Sequence, residues 1–301
     1  MALDLVFFEK MPVTVLSVNN AERFLARLLT SDVRKMPVGG LERSVMLNAT
    51  GGVIGLPWVV RKSLTDWDVV LMGEEADAEE AWIRQVAVAF DAEVEGARLS
   101  GASFVGTLPV EGVALKPQTA IEACGLRFLS LSWINLVVGA DEAVSALVDN
   151  LLRAGAHKGE KTGYDAMRIF AREPAIGLEL TEGASPLETG LEDAVDFSDP
   201  ERIFIGRALT EARAKAGNHL TMQLVAFDVA FDPNLLIEVP SILVEGQVYP
   251  LTSIARVPEG PFTVGLVRLP ASVAIGAHLE CSVTTDPRTF CKGALVVDRQ
   301  I

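Results

Sequence analysis

Leu47-Asn48-Ala49-Thr50-Gly51-Gly52-Val53-Ile54-Gly55-Leu56-Pro57-Trp58 is the stretch on which the reading of the fold turns. Thr50-Gly51-Gly52 is turn chemistry, because glycine reaches backbone angles that other residues avoid. β-rich pieces flank it, Ser44 to Asn48 before and Val53 to Arg61 after. A third, Asp68 to Met72, follows across Thr65-Asp66. The stretch reads as a hairpin with a further strand beyond it. Pro57 has no N–H to give a ladder and argues for an edge strand or a bulge.

Helices are expected on both sides. Before the hairpin, Asn19 can cap and Glu22 can complete a capping box, with Phe24, Leu25, Leu28 and Leu29 as the apolar stripe. After it, a helix over Asp77 to Phe90 carries Trp82, Ile83, Val86 and Phe90. Another, from about Asp141 to Ala154, carries Val144, Leu147, Val148, Leu151 and Leu152, and Gly155 is placed to end it. β-like segments such as Leu126 to Val138 lie between. Strands and helices interleave without long parallel crossovers, which favours an α+β class.

After Gly217 no helical period appears. Leu220 to Ala230, Ser241 to Val244, Gln247 to Val257, Thr263 to Leu269 and His278 to Thr285 are β-rich and bounded by Pro, Gly, Asn or Asp. This last third reads as a small all-β barrel or sandwich. The expected domains are 1–216 and 217–301, with the boundary near Ala216–Asn218 after the charged helix Glu211 to Lys215.

The 301 residues suit about two domains, and half are hydrophobic, enough for a sizeable core. The net charge of −14 sets repulsion against nucleic acid or an anionic membrane, so neither is an expected partner. Cys124, Cys281 and Cys291 are scattered, as are His157, His219 and His278, and none has metal-ligand spacing. The start, MALDLVFFEK, lacks the pattern of a secretory leader, and no apolar run approaches the roughly 20 residues that span a bilayer. A cytoplasmic, reducing compartment is expected.

Five segments in order carry a resemblance. They are Ala21-Glu22-Arg23-Phe24-Leu25 with Leu29-Thr30-Ser31-Asp32-Val33; Met46 to Ile54; Pro186-Leu187-Glu188-Thr189-Gly190-Leu191; Arg202-Ile203-Phe204-Ile205-Gly206-Arg207-Ala208-Leu209; and Tyr249-Pro250-Leu251-Thr252-Ser253 with Pro258. Together they resemble the aminomethyltransferase superfamily, which includes the glycine cleavage T-protein and folate-dependent factors for iron–sulfur cluster assembly. The resemblance implies two ferredoxin-like folate-binding units and a C-terminal all-β barrel around a central channel. It also implies tetrahydrofolate as ligand, transfer of a one-carbon unit to it, and a protein partner whose identity the sequence does not give.

The departures are specific. Active T-proteins continue the hairpin into an acidic pair, and one of those carboxylates is held near the reacting nitrogen of the folate. Here the two positions are Gly55 and Leu56, whose side chains neither accept a proton nor a hydrogen bond. Phe170, in Met167 to Arg172, stands where the family places a glutamate against the pterin. The family's "GYTGE" loop is not found before Leu136, where Leu129 to Asn135 runs straight through. The cysteine of the cluster-assembly branch is absent from Arg202 to Arg207. No catalytic residue is therefore assigned. A non-enzymatic folate-binding or iron–sulfur assembly module, and a tetrahydrofolate-dependent demethylase, are the alternatives.

Three residues are candidates for holding the folate. Asn48 either contacts it or caps the Thr50-Gly51-Gly52 turn. Glu188 lies in a loop shaped by Pro186 and Gly190, and is either a ligand contact or a solvated acid. Arg202 could grip the folate's glutamate tail bidentately, or lie on the surface. Arg153, His157, Lys158, Lys161 and Arg168 form a basic run with an anion-binding and a helix-end reading. Asp165 reads as a helix-start acid. Trp58, Trp67 and Trp133 read as core before they read as stacking platforms.

Overall fold

The computed structural model describes residues 5–73, 75–131, 133–217, 220–227, 233–258, 260, 262–285 and 288–298, with the side chains of 285–292 not described. Ser132, Asn218, His219, residues 228–230 of one expected strand and the Cys291 side chain lie outside these. The chain forms two compact units, Met1–Gly159 with Ala194–Ala208, and Glu160–Asp193 with Leu209–Ile301.

The first unit opens with β1 (Leu5–Asn19), α1 (Glu22–Leu28), β2 (Leu41–Arg43), β3 (Met46–Leu47), β4 (Val53–Gly55), β5 (Trp58–Arg61) and β6 (Asp66–Met72). Then come α2 (Ala76–Val88), β7 (Val94–Gly106), β8 (Thr119–Ala123), β9 (Leu126–Ser130), β10 (Asn135–Gly139), α3 (Asp141–Arg153) and β11 (His157–Lys158). One sheet runs β2-β5-β6-β1-β7-β10-β9-β8, and β11 adds in parallel to the start of β1.

Helices cover one face of this sheet. Phe24, Leu25 and Leu28 of α1 and Ile83 and Ala87 of α2 pack on Leu16, Val18, Val59, Trp67, Val69 and Leu71. Val144, Val148 and Leu151 of α3 pack on Ala102, Phe104, Phe128 and Val137. Because side chains alternate along a strand, Val15, Val70, Leu129, Leu136 and Val138 point the other way, yet they too are buried. The reason is curvature. The sheet curls until its ends meet: Gly40 bridges Thr119, Leu41 N–H donates to Gln118 O at 3.0 Å, and Ala120 N–H to Gly39 O at 3.1 Å.

One local reading differs from observation, and one strand had no reading. The expected Asn19 capping box is replaced by an N-cap at Ala21 without a side-chain bond. Asn19 is instead the last residue of β1, paired with Asp66, and the chain turns at Asn20, whose φ is +51°. β1 itself breaks the alternation that marks a strand. Glu9, Lys10 and Pro12 interrupt it, and its register on β7 shifts between Phe7 and Lys10.

The second unit holds α4 (Lys161–Phe170), a 3-10 turn at Pro186–Glu188, and most of α5 (Arg207–Ala216). Its strands are β12 (Leu220–Phe227), β13 (Ser241–Val244), β14 (Gln247–Arg256), β15 (Thr263–Pro270), β16 (His278–Thr285) and β17 (Arg288–Val297). They close as a barrel in the order β12-β15-β14-β13-β16-β17. Val225, Phe227, Ile242, Val267, Leu269 and Val283 help form its core.

Candidate functional site

The hairpin forms as its residues dictate. Met46 pairs with Gly55 and Leu47 with Val53, across a bulge. Asn48 Oδ1 accepts from Thr50 N–H at 2.9 Å, Thr50 Oγ1 at 2.7 Å and Gly52 N–H at 2.9 Å. That is an Asx turn, and it occupies the side-chain oxygen that a ligand would otherwise use. Gly51 supplies the positive φ of +79°. Pro57 falls between β4 and β5, and its carbonyl accepts from Ser44 N–H at 3.0 Å.

A buried acid closes the far end of the hairpin. Ala76, Glu79, Ile83 and Ala87 form the buried stripe of α2, and Glu79 is only 3% exposed. Its Oε1 accepts from Leu56 N–H at 2.9 Å. A Cβ added to Gly55 would overlap Glu79 Oε1 and lie 2.9 Å from its Cδ and 2.6 Å from Met46 Cε. The space beside Gly55 is thus filled by a carboxyl group from another element. Burial pushes the Glu79 pKa up to about 7, the Leu56 N–H opposes this, and the nearby Glu75 adds to it.

Arg202 is a clamp on the chain leaving α1. It is 5% exposed, and its Nη atoms donate to the carbonyls of Leu29 (3.1 Å), Ser31 (3.0 Å), Thr30 and Asp196 (2.7 Å). Burial lowers its pKa, and Asp32 and Asp196 oppose that shift. Its guanidinium stacks on Phe204 at 4.8 Å, and Arg207 approaches the same ring at 5.8 Å. Gly206, at φ +81°, then meets the hairpin: a Cβ there would stand 2.7 Å from Asn48 O and 3.1 Å from Gly51 Cα. Two of the sequence motifs therefore meet at this point.

Comparison with known proteins follows the same lines. No family model matches the chain. It is 27% identical over 297 residues to the aminomethyltransferase of Bordetella petrii, covering 91% of this chain and 79% of that protein. It is 25% identical over 207 residues to the aminomethyltransferase of Francisella philomiragia, covering 62% of this chain and 58% of that protein. The crystal structure of glycine cleavage system aminomethyltransferase T from Bartonella henselae superposes with a TM-score of 0.81. It does so over 99% of this chain and 86% of that one, at 15% identity. The chain is aminomethyltransferase-like.

In this aminomethyltransferase-like chain two residues from the second unit's quoted segments, Arg168 and Ser253, are also bonded within the fold. Arg168 Nη2 donates to Ser253 Oγ at 2.7 Å, Ser253 Oγ to Glu179 Oε1 at 2.6 Å, and Arg168 Nη1 to Glu173 O at 2.6 Å. Glu179 Oε2 completes the set, 3.2 Å from Arg168 Nη1 and accepting from Ala175 N–H at 3.0 Å. Every charge in this buried group is matched, as burial demands. Phe170, where the resemblance places a glutamate in relatives, meets the Phe262 ring edge-on at 6.5 Å.

Glu188 sits half-buried at the end of its turn, which Ser185 Oγ caps by accepting from Leu187 N–H at 3.4 Å. Among the described residues its carboxylate has no hydrogen-bond or ion-pair partner. Of the basic run, Arg168 is buried as above, Lys161 pairs with Asp165 at 3.3 Å, Arg153 bonds Asn150, and His157 and Lys158 are exposed. Trp58, Trp67 and Trp133 are all buried. No three His, Cys, Asp or Glu side chains gather into a metal site, and no helix is long and apolar enough to cross a membrane, among the described residues.

Sequence reading missed Glu79. Its signal was present, because counting back four residues from Ile83 along the buried stripe reaches Glu79, while Asp77 faces water.

Proposed function

We propose that the chain is a cytoplasmic, tetrahydrofolate-binding relative of aminomethyltransferases in which the T-protein reaction has been lost. The likeness over nearly the whole chain supports a folate-binding body at 1–216 and a barrel at 217–301. The ferredoxin-like part of this reading is supported by the order β5-β6-β1-β7, with α1 and α2 as the crossing helices. The second such unit has weaker support, since no helix lies between β7 and β8 among the described residues.

One observation carries the loss of activity. Gly55 has no carboxylate, and the Glu79 carboxyl packed against it has one oxygen held by Leu56 N–H. In this reading Glu188 is the side chain offered to a ligand. Asn48 and Arg202 serve by fixing the hairpin and the exit of α1. A glycine-cleavage assay with purified partner proteins is the test. Turnover at least about 100-fold below an authentic T-protein is expected, in line with loss of a general base; turnover within about tenfold overturns the reading.

The same observation favours a second reading, a folate-binding module without enzymatic activity that docks a protein partner. Calorimetry with tetrahydrofolate separates this from a purely structural protein. Binding at or below about 1 mM, equivalent to about −4 kcal/mol or better, is expected. Its absence at that concentration removes the folate from both readings.

A further inference from the structure

Where the two ends of the curled sheet meet, the first unit forms a part-open pocket of about 250 Å³. Its walls are apolar and come from both ends of the sheet: Val60 and Val70 from β5 and β6, Ile121 and Leu129 from β8 and β9. Lys62, Asp68 and Arg127 line it as well. Asp68 is buried, its side chain 2% exposed, and its Oδ1 accepts from Ser17 Oγ at 2.7 Å.

The two cations have donors to spare. Lys62 Nζ stands 3.5 Å and Arg127 Nη2 3.4 Å from Asp68 Oδ2, well beyond the roughly 2.7–2.9 Å of a charge-assisted hydrogen bond. Arg127 Nε is spent on Glu122 at 3.1 Å at the rim, but its Nη atoms have no hydrogen-bond partner among the described residues. Arg61, the third cation of the lining, is committed elsewhere, to Met36 O at 2.7 Å and to the face of Trp67. The lining as a whole holds three cations, Arg61, Lys62 and Arg127, against two carboxylates, Asp68 and Glu122, which leaves one positive charge in excess.

We propose that this pocket binds a small monocarboxylate with an aromatic or branched apolar body. The apolar part lies against Val60, Val70 and Leu129, and the carboxylate lies between Lys62 and Arg127. Ligand pockets for drug-sized molecules run from about 300 Å³ upward, so the occupant is compact. The inference stands on this pocket and does not depend on the folate reading.

Calorimetry of the full chain with benzoate, benzamide and inorganic phosphate tests it. Benzoate is expected to bind at least about tenfold more tightly than neutral benzamide or than phosphate, which has no apolar body. Lys62→Gln and Arg127→Gln are each expected to weaken benzoate about tenfold and leave benzamide unchanged. Asp68→Asn keeps the acceptor for Ser17 and removes the buried negative charge, so it is expected to tighten benzoate. Benzoate binding no better than benzamide, or indifferent to all three substitutions, overturns the proposal. Benzoate binding without tetrahydrofolate binding leaves it standing while the proposed function falls.

Discussion

Gly55 and Glu79 share one space: the carboxyl group from α2 lies where a Cβ on Gly55 would be, and its Oε1 holds the N–H of the next residue, Leu56. A side chain at one position excludes the carboxyl from the other. Restoring an acid by Gly55→Asp therefore meets overpacking and a second carboxylate at once. We expect a loss of about 1–3 kcal/mol in denaturant unfolding. Glu79→Ala in the same chain should recover part of it, so the double-mutant cycle should show coupling. Additive losses would mean the two positions do not compete.

Glu79 also sets a pH dependence. Its folded pKa is raised from 4.5 to about 7, so the folded chain keeps a proton that the unfolded chain releases. The stabilisation is complete below about pH 4.5 and is lost as pH rises through about 7. At about 1.4 kcal/mol per pH unit, the span is of order 3 kcal/mol. Glu79→Gln, which keeps an oxygen for Leu56 N–H, should flatten the stability profile over this window. An unchanged slope in urea titrations at pH 5, 6, 7 and 8 would refute it.

Arg202→Lys is expected to cost at least about 3 kcal/mol. An ammonium cannot span the carbonyls of Leu29, Thr30, Ser31 and Asp196 together, and those left behind are buried. The measurement is the unfolding midpoint without ligand. A midpoint equal to that of the unaltered chain would show that Arg202 is not a clamp and is free for other work.

Gly206→Ala places a Cβ 2.7 Å from Asn48 O at a φ of +81°. Left-handed backbone and close contact together predict a loss of at least about 2 kcal/mol. Amide exchange should quicken at Thr50 and Gly52, whose N–H groups are held by Asn48. Protection unchanged at both amides would separate the two motifs.

What sequence could reveal here was local. The Thr50-Gly51-Gly52 turn, α3 with Gly155 beyond it at φ +103°, and the β-rich last third rest on residues close together in the chain, and they formed as read. β1 was not read, because its strand character comes from pairing with β6 on one side and β7 on the other. Arg202 had a ligand reading and a surface reading. Its partners among residues 29–31 lie more than 170 positions away, a relationship that no spacing rule carries. Glu79 was hidden for another reason: an acid in a helix is usually solvated, and only its place in the buried stripe marks it.

The meeting of Gly40 with Thr119 governs how the nascent chain is exposed. Until β8 and β10 have emerged, β2 and β7 are the edges of an open sheet with unpaired N–H and C=O groups, able to recruit a strand from a neighbouring chain. Fragments that stop after β7 should accordingly aggregate, and those that reach β10 should stay dispersed. For this chain, closing the sheet is as much protection from its own copies as it is a way to build an interior.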